Sequence, residues 1–198
     1  MINKPYSESC DQNRDAILSI IKPLLNDKQS VLEIGSGTGQ HAVYFAEQLS
    51  HLTWHPSDQK QYLAGINLWL AEAELTNVNA PLELDVTQAQ WPEIKVDAIF
   101  SANTLHIMHW QHVEDFFAGI KDKLNETGLL IIYGPFNYNN QYSSESNARF
   151  DVWLKQRDPH SAIRHFEKVN DLAIEQGLSL IDDVAMPANN RILCWQKV

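Results

Sequence analysis

Three glycines at alternate positions, Gly35, Gly37 and Gly39, close the stretch VLEIGSGTGQ at residues 31 to 40, and an acid, Glu33, sits inside its apolar run. A glycine loop after a strand lets the backbone approach a ligand closely. A carboxylate at the mouth of that loop repels phosphate. The dinucleotide fingerprint GxGxxG needs a glycine at position 40, but Gln40 stands there and Gly39 comes one residue early. A phosphate-binding Walker loop needs GxxxxGK, and no lysine lies between Lys28 and Lys60. What fits is a ligand that wants close backbone contact and a negative charge nearby. S-adenosylmethionine meets both conditions: it has no phosphate, and it carries a cationic sulfonium and an ammonium.

Such a loop must be held by a sheet, and the chain alternates accordingly. Ala16, Ile17, Ile20, Ile21, Leu24 and Leu25 recur at helical spacing, with Pro23 expected to kink or split that helix. SVLEIG reads as a buried strand and HAVYFAEQL as a helix. LTWHPSD reads as a second strand, about Gln59 to Leu75 as a helix, and PLELDV as a short third strand. VDAIFSAN is a fourth strand, and LLIIYG a fifth. Between them Val113, Phe116, Phe117, Ile120 and Leu124 mark a helix face that Gly128 is expected to end. This rhythm predicts an α/β, doubly wound, mostly parallel sheet with ligands at the carboxyl ends of its strands. After Gly177, LSLIDDVAM and RILCWQKV flank PANN and must pair antiparallel, so the sheet reaches seven strands and ends in a hairpin. The Asn-, Ser- and Tyr-rich segment from 137, with helical patterns near Glu145 to Gln156 and His165 to Gln176, reads as a helical insertion over the site. The expected organisation is one domain, 1 to 198, with residues 1 to 29 as a helical lid and 137 to 176 as the insertion.

VLEIGSGTG resembles the first motif of the class I S-adenosylmethionine-dependent methyltransferases, a Rossmann-like fold. The resemblance implies cofactor roles for Glu33, Gly35, Ser36, Gly37 and Gly39. It further implies that Asp58, nineteen residues after Gly39, holds the ribose hydroxyls with Gln59 beside it. Asp85 would accept from the adenine amine with Val86 against the ring, and Ala102 and Asn103 would lie beneath the cofactor. More narrowly, EIGSGTGQHAVYFA, WHPSD, NTLHIMHW, YGPF, SNARFD, RDP and PANN, in this order, resemble an uncharacterised methyltransferase-like family of the DUF938 type. Taken singly, each acid also suits a helix N-cap, Asp58 above all, for the helix starting near Gln59.

Methyl transfer is an in-line displacement, so the protein supplies alignment and exclusion of water, and a base only when the nucleophile arrives protonated. His106 and His109 in NTLHIMHW sit just past the fourth strand; His106 is the catalytic candidate, and His109 is either a substrate contact or a capping histidine. Tyr133 ends the fifth strand at the same mouth and is the second catalytic candidate. His41 reads as a first-turn surface residue. Asn13 and Arg14 close the pocket from the first helix or lie on its solvated face. Asn147 and Asp151, four apart, share a helix face and either bind substrate or brace the insertion. Asn189 and Asn190 suit a turn, with Asn190 also a substrate candidate. Trp69, Trp91, Trp110, Trp153 and Trp195 read as packing residues.

Composition narrows the partner. The chain has 15 Lys plus Arg against 25 Asp plus Glu, a net charge of -10, a field that repels nucleic acid and anionic membranes. SANT replaces the NPPY-like residues of amino-directed DNA methylation. The expected partner is a small-molecule methyl acceptor at oxygen or nitrogen, without nucleic acid or membrane; the oligomeric state is not specified. Two cysteines, Cys10 and Cys194, are too few for a disulfide framework or a CxxC-type zinc site, so no metal is expected. MINKPYSESCDQNRD lacks the apolar core of a signal peptide, and the expected compartment is the cytoplasm. The alternatives are a non-catalytic module binding S-adenosylmethionine or a partner, and a decarboxylase or reductase on the same fold.

Overall fold

The computed structural model describes residues 3–198; the first two residues of the expected 1 to 29 lid lie outside it. In chain order the elements are α1 (Glu8–Leu24), β1 (Ser30–Ile34), α2 (Gln40–Gln48), β2 (Thr53–Asp58), α3 (Lys60–Ala73), β3 (Leu82–Glu83), β4 (Val96–Ala102) and α4 (Trp110–Ile120). There follow β5 (Leu124–Gly134), β6 (Phe136–Asn137), α5 (Glu145–Arg157), β7 (Arg164–His165), α6 (Phe166–Glu175), β8 (Leu178–Met186) and β9 (Asn190–Lys197). Seven strands form one sheet in the order β3-β2-β1-β4-β5-β9-β8, with β6 and β7 paired separately. The first five run parallel, and β9 is antiparallel to both β5 and β8. The order turns back at β1 and β4, which places the switch point of the sheet beside the glycine loop.

Both faces of the sheet are covered because the inner strands are apolar on both sides. One face packs Leu32, Ile99, Leu130 and Leu193 against α4 and α6; the other packs Val31, Ala98, Phe100 and Ile131 against α1 and α2. Trp54, Phe45 and Phe100 meet there at ring separations of 5.5 to 6.0 Å. No helix among the described residues is long and apolar enough to cross a membrane.

Several sequence expectations are corrected. Pro23 neither kinks nor splits α1; it falls in the last turn, and the helix ends one residue later, at Leu24. Gly128 does not end α4, which stops at Ile120; Leu124 already opens β5, and Gly128 sits within that strand beside a register shift against β4. A Cβ there would lie 2.8 Å from the Asn125 carbonyl oxygen, so glycine serves the tight strand path. β3 spans only Leu82–Glu83, so Asp85 follows the strand rather than ending it. The insertion is shorter than 137 to 176: α6 buries Val169 and Ala173 in the core with Leu178 and Trp195, and only α5 and its flanks stand over the strand ends.

The loop geometry depends on its glycines, which adopt positive φ without strain. Gly35 has φ 78°, and a Cβ on it would stand 2.3 Å from Thr104 Cγ2; Gly177 has φ 76° with nothing within 4 Å of the same position. Gly35→Ala should therefore cost about 2 kcal/mol or more, against about 1 kcal/mol for Gly177→Ala, where only the left-handed backbone is opposed. Urea midpoints of the two variants check the ranking; equal losses would show that the Thr104 contact carries no weight.

Candidate functional site

The loop joins three strands through short polar side chains. The N–H groups of Gly35 and Ser36 both donate to the Ser57 carbonyl at 3.0 Å, and the Ser57 N–H returns a bond to Ser36 Oγ at 3.1 Å. Ser101 Oγ donates to the Ile34 carbonyl at 2.7 Å and lies 2.5 Å from Thr104 Oγ1, tying the end of β4 to the end of β1. Gly39, at φ 90°, then opens α2 against Ile66 of α3. Gly37 is exposed, with open space where a Cβ would stand, so the loop presents bare backbone outward.

The acids differ in exposure. Asp58 accepts from the Gly37 N–H at 2.7 Å and from the Gln59 N–H at 2.7 Å. It is not the N-cap of α3; Gln59 holds that position. Two of the roughly four acceptor positions of its carboxylate are thus used, and the others remain for a pair of hydroxyls. Asp85 accepts from Thr87 N–H and Oγ1 at 3.0 and 2.8 Å and from Gln59 Nε2 at 3.1 Å, which lines Gln59 and Asp85 up next to Asp58. Val86 packs partly buried on the core below. Glu33 departs from expectation: it is 2% exposed and accepts from Trp54 Nε1 at 2.9 Å, so it lies behind the loop rather than open at its mouth.

A cavity of about 840 Å³ opens over the carboxyl ends of β4 and β5. Asn103, with φ 60°, Tyr133 and His106 line it from below; Asn13 from α1, Asn147, Phe150 and Trp153 from α5, and Asn189 and Asn190 from the β8–β9 turn line its walls. Ala102 ends β4 directly before Asn103. Tyr133 Oη accepts from Asn190 Nδ2 at 3.0 Å, while burial raises the phenol above its ordinary value, so it stays protonated at neutral pH. Burial, with the Arg164 charge adding to it, lowers His106 to about 4. Its imidazole is therefore neutral at pH 7, and no described residue hydrogen-bonds either ring nitrogen; the ring stands edge-on to Phe150 at 5.5 Å.

Two expected substrate residues stand elsewhere. Arg14 pairs with Asp11 at 2.9 Å and lies over the Tyr44 ring at 4.7 Å, on the side of α1 that faces α2. His109 is half-exposed outside the cavity, pairs with Asp158 at 3.3 Å and stacks between His112 and His160. His41 is no surface residue: it is 5% exposed, its Nε2 lies 2.8 Å from Asn13 Oδ1, and burial lowers it to about 4. Asn147 donates to the Asn189 carbonyl at 3.0 Å, while Asp151 takes the bracing role, accepting from Ile163 N–H at 2.7 Å and from Lys155 at 2.6 Å. Of the tryptophans, Trp153 is exposed at the cavity rather than packed. Sequence reading missed Phe150, Trp153 and Ser161 as lining residues; helical spacing from Asn147 to Phe150 and Trp153 was the available signal.

A family model described as a protein of unknown function, DUF938, matches residues 4–197. The chain belongs to the DUF938 family. Its fold is similar to that of the S-adenosylmethionine-dependent methyltransferase SibL, with TM-score 0.81 and 18% identity over 96% of this chain and 55% of that one. It is also similar to an O-methyltransferase family protein from Burkholderia thailandensis, with TM-score 0.78 and 14% identity over 94% and 59%. The mitomycin 7-O-methyltransferase MmcR superposes with TM-score 0.84 and 14% identity over 96% and 54%. The chain thus spans little more than half the length of these solved structures, and the likeness is one of fold: the class I methyltransferase sheet.

For this DUF938 protein, Glu33 provides a direct check on the buried geometry. Burial pushes its carboxyl up to about 7, opposed by hydrogen bonds from Trp54 and Ser36 and reinforced by the Asp58 charge. The folded state then keeps a proton that the unfolded chain releases near 4.5, so stability falls as pH rises from there through about 7. Glu33→Gln keeps an acceptor for Trp54 and removes the titration. Relative to the native chain it should gain roughly 1–3 kcal/mol between pH 5 and pH 8. Thermal unfolding at the two pH values measures this; a constant difference would mean the carboxylate is solvated.

Proposed function

We propose that the chain is an S-adenosylmethionine-dependent methyltransferase acting on a small molecule at oxygen or nitrogen. One observation carries the reading: Asn103 lines the 840 Å³ cavity, and the next residue, Thr104, lies so close to Gly35 that a Cβ there would stand 2.3 Å from it, so a single step of chain joins the cavity to the loop. A donor lying on the loop would thus face an acceptor in the cavity.

The residues present fit the donor. Asp58 keeps acceptor positions for two ribose hydroxyls, Asp85 and Val86 stand beyond it for the adenine, and the exposed Gly37 admits close approach. Glu33, Ser36 and Gly39 shape the loop from behind, and Ala102 and Asn103 bound it below. Bound there, S-adenosylmethionine supplies a methyl group on a sulfonium, already activated for displacement. The chain aligns the acceptor and keeps water away. His106, neutral with unengaged nitrogens, takes the proton of a hydroxyl or amine. Tyr133, protonated, donates a hydrogen bond to the acceptor, with Asn190 fixing its oxygen. Asn13 and Asn147 hold the walls, and α1 covers the cavity as its lid. The apolar and amide lining suits a neutral or aromatic small molecule, and the net charge of -10 disfavours nucleic acid. We assign the protein to the cytoplasm on the same reading.

Calorimetry with S-adenosylmethionine tests the donor site: Asp58→Ala should weaken binding by roughly 1–3 kcal/mol through lost hydrogen bonds. Incubation with labelled donor and a cell extract identifies the acceptor. Once it is known, His106→Ala should lower kcat about 100-fold or more with little change in donor affinity. The native rate should rise with pH through about 4 and stay level above, because the neutral imidazole is the active form. Tight donor binding with no label passed to any metabolite would overturn the catalytic reading.

A further inference from the structure

We propose that a second cavity, between α5, β7 and the first turn of α6, binds a phosphate-sized oxyanion, either orthophosphate or a phosphomonoester. This cavity of about 360 Å³ lies on the opposite side of α5 from the acceptor cavity and is independent of the methyl-transfer reading. Among its lining residues are Lys155, Arg164 and Lys168, set against a single carboxylate, Asp151. That is a local excess of positive charge in a chain of net charge -10.

Arg164 is the central observation. It is 8% exposed, and its Nε and Nη2 donate to the carbonyls of Leu105, Met108 and His160. Its Nη1 has no acceptor, and no carboxylate pairs with it, among the described residues. Its hydrogen bonds go only to carbonyls, it lies over the Trp110 ring at 5.9 Å, and the Asp151 and Asp158 carboxylates act on its charge from nearby without pairing with it, so that charge is incompletely neutralised. Both acids are already engaged: Asp151 accepts from Lys155, Tyr142 and the Ile163 N–H, and Asp158 accepts from the His160 N–H and Ser161 Oγ and pairs with His109. Lys155 retains two further N–H donors, and Lys168 is exposed without an ion pair among the described residues.

The first turn of α6 adds backbone donors. His165 is its N-cap and makes no side-chain cap; of the opening N–H groups of this ten-residue helix, that of Glu167 bonds its own carboxylate and the others are left without a side-chain cap. Glu167, in that turn, directs its carboxylate to the Asn139 N–H at 2.7 Å. Of the three buried polar side-chain atoms without a partner among the described residues, two belong here: Asn137 Oδ1, on a residue 5% exposed, and His165 Nδ1. Both residues line the cavity. Asn137 Oδ1 needs a donor, which distinguishes the ligand. Orthophosphate near neutral pH, and a phosphomonoester in its singly charged form, keep a P–OH that can donate there while the other oxygens accept from Arg164 and Lys168. Chloride and acetate carry no such proton. An occupant would tie β7 and α6 to α5, whose far face carries Asn147 and Phe150 of the acceptor cavity.

The test uses the full chain in phosphate-free buffer, titrated with orthophosphate, glycerol 3-phosphate, acetate and chloride at matched ionic strength and followed by amide shifts of residues 166 to 168. Saturable shifts with orthophosphate, weakened about tenfold or more by Lys168→Ala and removed by Lys168→Glu, are expected. Saturation by glycerol 3-phosphate as well marks an ester-accepting site; saturation by orthophosphate alone marks a site for the free ion. Because the exposed Lys168 has no ion pair among the described residues, both variants should unfold at the native temperature without ligand. Equal responses to acetate or chloride, or an unchanged affinity in Lys168→Ala, would overturn the proposal.

Discussion

The contact between Gly35 and Thr104 governs this molecule. A single hydrogen in place of a side chain lets the chain just past β1 lie flush against Thr104, two residues beyond β4, and Ser101 locks the two strands with a bond to the Ile34 carbonyl. Parallel strands leave their carboxyl ends unpaired at a switch point, so the loop, the start of α2 and the floor of the cavity all meet there. A bulkier residue at position 35 would lift the loop off the sheet and away from the floor of the cavity. The left-handed backbone of Asn103 belongs to the same constraint, since it turns the chain away from β4 in time to form that floor.

The walls of the cavity come from far along the chain. Asn13 on α1, Asn147 on α5 and Asn190 after β8 converge above strand ends that are themselves separated by other elements. Amides recur in this lining, and three of them are satisfied within the fold: Asn13 with His41, Asn147 with the Asn189 carbonyl, Asn190 with Tyr133. Groups of this kind hold each other without charge, and Arg157 and Asp158 in the same lining are of opposite sign. The acids, by contrast, gather on the loop side at Asp58 and Asp85. The division of polarity matches a cationic donor on one side and an uncharged acceptor on the other.

Charge is organised in a third place as well. The basic groups around Arg164 stand apart from both surfaces, behind α5, and α5 is the one element that touches the two cavities. Its two faces are polar in different ways, one with Asn147 and aromatic rings, the other with Asp151 and Lys155. A helix so divided borders two cavities rather than one core, which accounts for the few buried residues it carries.

The sheet and the glycine loop were legible in the residues alone. Strand and helix periods are local, the apolar runs of β1, β4 and β5 are unbroken, and positive φ at alternate positions demands glycine. The sequence also marked His106, Tyr133 and Asn103, because each follows or ends a strand whose carboxyl end must face the mouth. Only the tertiary structure decided which side a helical residue faces. Arg14 and His109 have the residue types of a binding site, yet α1 turns Arg14 onto Tyr44 and α4 leaves His109 outside. Glu33 alternates inward because β1 is covered on both faces, so its carboxyl meets Trp54 instead of the open mouth. The extent of the insertion, the burial of His41 and the place of Gly128 were likewise settled by long-range packing. Local periodicity carries no information about which distant surface will cover a given face.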